Sequence, residues 1–187
     1  MTARHPIAAV AIPDESRVRH AYPATNLADA YEARLPDGAI DDPEALARFI
    51  FASQPGWISR LMWLRDGTVG RFGLKTAAGL RRSSADRIGL FRIYERSPRE
   101  IVLGEDDSHL DFRVSVLTCS RPLAGESANF IVVSTVVHCH NLLGRCYIAL
   151  IAPFHRLIVK AGLRRAASSG WPMRPAGQAG GTSSASA

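Results

Sequence analysis

Apolar and polar positions along this chain follow two rhythms in succession. In Asp29-Ala30-Tyr31-Glu32-Ala33-Arg34-Leu35 they alternate, the period of a half-buried strand, and Pro36-Asp37-Gly38 supplies the turn that ends it. A helix start follows. Asp42 stands where a cap accepts from free N–H groups, Pro43 takes the first helical position, Glu44 complements the dipole, and Leu46, Phe49 and Ile50 form an apolar face. Gln54-Pro55-Gly56 stops this helix. Trp57, Leu61, Leu64 and Phe72 predict a second one, weakened toward its end by Gly67, Gly70 and Gly73. Residues 76–87 read as a polar loop.

From there the period shortens to two. Strands are predicted over 88–95, 100–105, 109–119 and 129–140, and the short turns at Ser97-Pro98, Asp106-Asp107-Ser108 and Arg121 to Gly125 make them an antiparallel meander. In the third strand Leu110, Phe112, Val114 and Val116 share one face, and His109, Asp111, Arg113 and Ser115 share the other. Such alternation predicts one packed face and one wet face.

The longest helix is expected over 142–167, capped by Asn141 and bent at Pro153. At 100° per residue, Leu143, Tyr147, Leu150, Phe154, Leu157, Ile158 and Ala161 gather on one side, expected to face the sheet. Arg145, Arg156, Lys160 and Arg164 gather on the other. Residues 168–187 are too rich in Gly, Ser, Ala and Pro to support a core and are expected to form a disordered tail, while 1–22 read as a loose arm. The domain itself is expected over 23–167.

Composition narrows this picture. The chain has 187 residues, 47% of them apolar and 21% charged, enough for a single domain that buries roughly 70% of its unfolded surface. Its net charge of +6 invites a polyanion partner, but the charge is unevenly placed. All 17 acids and 17 of the 23 cations precede residue 127, so Arg145, Arg156, Lys160, Arg164, Arg165 and Arg174 carry the whole excess. No reading element or interleaved exposed aromatics accompany them, so nucleic acid is not an expected partner. Cys119, Cys139 and Cys146 form no even framework, which suits a reducing, cytoplasmic setting. The longest apolar runs, six and nine residues, are too short to cross a bilayer, so no transmembrane segment is expected.

The element order, a strand, short helices, an antiparallel run and one long amphipathic helix, resembles that of the START-like, helix-grip superfamily over residues 25–167. More narrowly, Phe72-Gly73-Leu74-Lys75-Thr76, Leu103 through Val114, His140-Asn141-Leu142-Leu143-Gly144-Arg145 and Pro153-Phe154-His155-Arg156-Leu157-Ile158 resemble the blocks of the family known as domain of unknown function 2867. The resemblance implies an α+β helix-grip fold: a curved antiparallel sheet, two short helices, a long C-terminal helix and a cavity between sheet and helix. It implies no activity.

Four groups of residues bear on chemistry. Asp107, His109, Asp111 and Arg113 alternate along one strand, where His109 with Asp111 would serve proton transfer and Arg113 an anion; the plainer reading is a solvated, charge-paired face. His138-Cys139-His140 projects two imidazoles to one side, but nothing fixes a third ligand, so no metal is expected. Gly67-x-x-Gly70-x-x-Gly73 lacks the strand before and helix after that phosphate cradling needs, and no cofactor is expected. The basic helix stripe suits an acidic membrane or a protein contact, against the plainer reading of a solvated face.

The leading expectation is therefore a domain binding a small apolar or amphipathic molecule. Phe112, Tyr147, Leu150 and Phe154 would form its apolar walls, and Lys75 with Arg113, beside His109 and Asp111, its polar end. The alternatives are a cyclase- or hydratase-type enzyme using His109 and Asp111 in the same cavity, and a peripheral membrane or interaction module working through the basic stripe.

Overall fold

The computed structural model describes residues 6–52, 86–89, 91–123 and 125–175. Seven strands, β1 (Ala8–Val10), β2 (Leu27–Arg34), β3 (Arg87–Ile88), β4 (Phe91–Arg96), β5 (Glu100–Asp106), β6 (Leu110–Leu123) and β7 (Glu126–Cys139), form one curved antiparallel sheet. Its order is β1-β2-β7-β6-β5-β4-β3. β4 to β7 each pair with the next, as the short turns predict, whereas the single strand expected over 88–95 is broken at Gly89, φ 61°, so that β3 folds back to pair with β4. β2 then joins the free edge of β7, Leu27 opposite Val137 and Arg34 opposite Phe130.

Helix α1 (Pro43–Ala52) and the 28-residue helix α2 (Leu142–Ser169) both pack on this sheet, an α+β helix-grip-like arrangement. The expected second helix and its glycines lie outside the described residues. α1 starts as its sequence dictates: the Glu44 N–H donates to Asp42 Oδ1 at 2.9 Å, and the Leu46 N–H to the Asp42 carbonyl. Leu46, Leu103 and Leu163 meet in the main core at 0% exposure, each contributing roughly 1.5–3 kcal/mol. Between β6 and β7 the turn is tighter than expected. Pairing continues to Leu123 opposite Glu126, with Gly125 at φ 88°, a conformation glycine adopts without strain.

The face expected to be wet is covered. Ile12, Val18 and Tyr22 lie over Ala30, Val102, Leu117, Val132 and Val136 on the side of the sheet away from α1 and α2, and Val10 of the edge strand β1 packs beside Ala30. Beneath them Ser115 is fully buried, and buried Glu100 accepts hydrogen bonds from Ser16 Oγ at 2.7 Å, Ser115 Oγ at 2.5 Å and the Arg17 N–H. The described part of the expected loose arm is thus ordered: β1 is the edge strand of the sheet, and the segment after it, with a 3-10 turn at Arg17–His20, packs over the sheet. At the other end, residues 171–174 also dock. Trp171 is buried beside Phe49, Pro172 accepts from the Ile40 N–H, and the Arg174 N–H donates to the Gly38 carbonyl.

The rotation of α2 is the largest departure from expectation. Its buried residues are Gly144, Ile148, Leu163 and Ala166, whereas Leu143, Leu150, Phe154 and Leu157 are 46, 68, 47 and 61% exposed. The apolar stripe therefore points away from the sheet. The reason is steric. The backbone of α2 lies so close to β6 that a Cβ on Gly144 would collide with the His109 carbonyl, so only a face with small residues at that point fits. The cap formed as expected, with Asn141 Oδ1 accepting from the Gly144 N–H at 3.0 Å.

Candidate functional site

The period-two pattern of β2 turns Leu27, Asp29 and Tyr31 toward α2, and Leu27 and Tyr31 belong to its core clusters. Asp29 alone among them is charged. Directly across the ladder stands Thr135 of β7, between core residues Val133 and Val137. From above, α2 brings His155 and Arg156: His155 Nε2 lies 3.3 Å from Asp29 Oδ1, and Arg156 Nε lies 3.7 Å from Oδ2. The Asp29 side chain is only 11% exposed and that of His155 22%.

These groups meet without satisfying one another. Both carboxylate oxygens of Asp29, His155 Nε2 and Thr135 Oγ1 are buried and make no hydrogen bond. An unsatisfied buried polar group costs about 1–3 kcal/mol, and charged groups more, a cost that the ion pairs of Asp29 with His155 and Arg156 offset only in part. Next to them Lys160 Nζ sits 5.0 Å above the Tyr31 ring. Burial, reinforced by the Asp29 carboxylate and opposed by Arg156, raises the Tyr31 phenol above its ordinary pKa. Arg156 and Lys160, expected on a solvated outer stripe, are thus turned toward β2. Chemically the site offers two carboxylate acceptors, an imidazole and a hydroxyl at the edge of an apolar layer.

The predicted polar end is not built there. Asp111, Arg113 and Ser115 occupy the opposite face of β6, under the N-terminal layer, while Phe112 faces the helices, edge-on to Phe91 at 5.8 Å. Asp111 Oδ2 pairs with His140 Nε2 at 3.0 Å, and His109 Nδ1 lies 2.8 Å from Asn141 Nδ2, so the structure couples each to a different partner. Arg113 donates to Asp106 Oδ1 at 2.7 Å and stacks 3.6 Å above Tyr94. Burial lowers the Arg113 pKa, but Asp106 and the two tyrosines more than offset it and keep the cation charged. Burial and the hydrogen bond to Asp106 push Tyr94 up to about 12, and burial likewise raises Tyr22.

Of the remaining expected residues, Tyr147 is half-buried against the cluster of Leu27, Val137 and Cys139. Leu150 and Phe154 are 68% and 47% exposed on the side of α2 away from the sheet. Lys75 lies outside the described residues. The rings of His138 and His140 come within 5.2 Å, and among the described residues no three His, Cys, Asp or Glu side chains gather as a metal site. Asp29, Thr135 and His155 were not foreseen as a group. One signal was present, since the alternation Asp29, Tyr31, Ala33, Leu35 places a carboxylate on an otherwise apolar face.

Compared with known proteins, residues 21–162 match the model of a family described as protein of unknown function (DUF2867). No curated protein and no solved structure matches the chain.

Proposed function

The chain belongs to the DUF2867 family, and we propose that this member binds a small amphipathic molecule between β2, β7 and α2, in the manner of a START-like domain. The observation that carries the reading is Asp29, whose two buried carboxylate oxygens have no hydrogen-bond donor. A fold retains such a group when something outside it completes the bonding. The ligand chemistry follows from the donors and acceptors on offer. A hydroxyl, amide or ammonium group would donate to Asp29, an oxygen would accept from Thr135, and an apolar body would lie toward Leu27, Ile148 and Tyr147.

Native mass spectrometry of the full chain, purified without denaturation from a bacterial lysate, tests this. The expected result is an added small-molecule mass in the wild type that is lost in Asp29→Leu and Thr135→Val while both variants keep the wild-type circular dichroism spectrum. A wild type that stays at its bare mass after incubation with a lysate extract, its polar site filled by water alone, overturns the proposal. So does a ligand retained equally by all three proteins.

A further inference from the structure

The outward face of α2 is an apolar row left exposed. Leu142, Leu143, Leu150, Phe154 and Leu157 are exposed and lie within about 120° of one another around the helix. From Leu143 to Leu157 the row runs about 21 Å at 1.5 Å per residue. Single exposed leucines need no explanation, but a continuous apolar row on the solvent side of one helix does. The charges that α2 itself carries are all of one sign; Arg156 pairs with Asp29 and Lys160 stands over Tyr31, while Arg145 and Arg164 are exposed. α2 carries Arg145, Arg156, Lys160, Arg164 and Arg165, and no Asp or Glu follows Glu126.

We infer that this face docks on an anionic membrane surface, with the leucines and Phe154 entering the boundary between headgroups and acyl chains and the flanking arginines meeting lipid phosphates. Charge selects this occupant over a second copy of the chain, because a two-fold contact would set one cationic helix against another. By length and composition α2 is also long enough to cross a membrane. Its inner face argues for lying on the surface instead. That face holds Asp29 through His155, packs Leu163 and Ala166 into the core, and donates from Arg165 to the Ile50 carbonyl at 3.2 Å. Apolar area combined with cationic flanks is the physical recipe for interfacial helices.

Co-sedimentation of the full chain with vesicles of phosphatidylcholine alone, or with a third of the lipid as phosphatidylglycerol, tests the inference at rising sodium chloride. Binding to the anionic vesicles is expected, weakening with salt. Arg145→Gln with Arg164→Gln should reduce partitioning about 10- to 30-fold, and Leu150→Glu with Phe154→Glu should abolish it without altering the circular dichroism spectrum. Absence of binding, equal binding to both vesicle types, or salt-independent partitioning overturns the inference. So does a dimer in sedimentation velocity that Leu150→Glu dissociates, because a second copy would then occupy the face.

Discussion

Gly144 sits directly against the backbone carbonyl of His109, leaving no room for a side chain between α2 and the start of β6. Gly144→Ala forces the two apart and is expected to destabilise the fold by at least about 1–3 kcal/mol. Gly162→Ala on the same helix is the control. Its Cβ would meet only Ile50 Cγ2, at 3.8 Å, an ordinary contact, so the better helix propensity of alanine should add up to about 1 kcal/mol. Urea denaturation of both variants measures the difference, and equal effects would remove Gly144 as the residue that sets the rotation of α2.

Thr135→Val should raise stability. The hydroxyl is buried without a hydrogen bond, and replacing it by a methyl group of similar size relieves a penalty of about 1 kcal/mol. The expected outcome is a higher melting temperature together with loss of the retained ligand, the trade between stability and function seen at binding sites. A lower melting temperature would show that the hydroxyl is bonded.

Glu100 ties the N-terminal layer to the sheet. Glu100→Gln keeps the shape but turns one acceptor oxygen into a donor facing Ser16 Oγ, Ser115 Oγ and the Arg17 N–H. The expected cost is about 1.5–3 kcal/mol. Amide exchange should accelerate first at Arg17 and its neighbours, with β6 and β7 little affected. Uniform acceleration across the sheet would mean that the layer does not open separately.

Glu44 links α1 to β4. Hydrogen bonds from Arg96 and then Arg48 hold its carboxyl below the ordinary glutamate value. A lowered folded-state pKa contributes stability above the unfolded value, and that contribution is lost as pH falls through the folded one. Wild type should therefore exceed Glu44→Gln at neutral pH, with the gap closing in acid. The gap should stay under about 1 kcal/mol, because these side chains remain in contact with water. Thermal melts from neutral to acid pH would show it.

Local chemistry alone determined much of this protein. The cap at Asp42, the cap at Asn141, the meander of β4 to β7 and the existence of α2 are contacts between near neighbours in the chain, so period and turn residues were sufficient to predict them. Which face of an element is buried was decided by distant partners. Arg113 and Ser115 read as solvent-facing until residues 10–22 cover them, and Leu150 and Phe154 read as core until the collision at Gly144 turns them outward. The candidate site belongs to this second kind. Asp29, Thr135 and His155 stand more than a hundred residues apart at the extremes, and only the pairing of β2 with β7 beneath α2 brings their unsatisfied atoms together. Periodicity reports that a residue has two sides to choose from; packing, through excluded volume and the need to bury apolar surface, makes the choice.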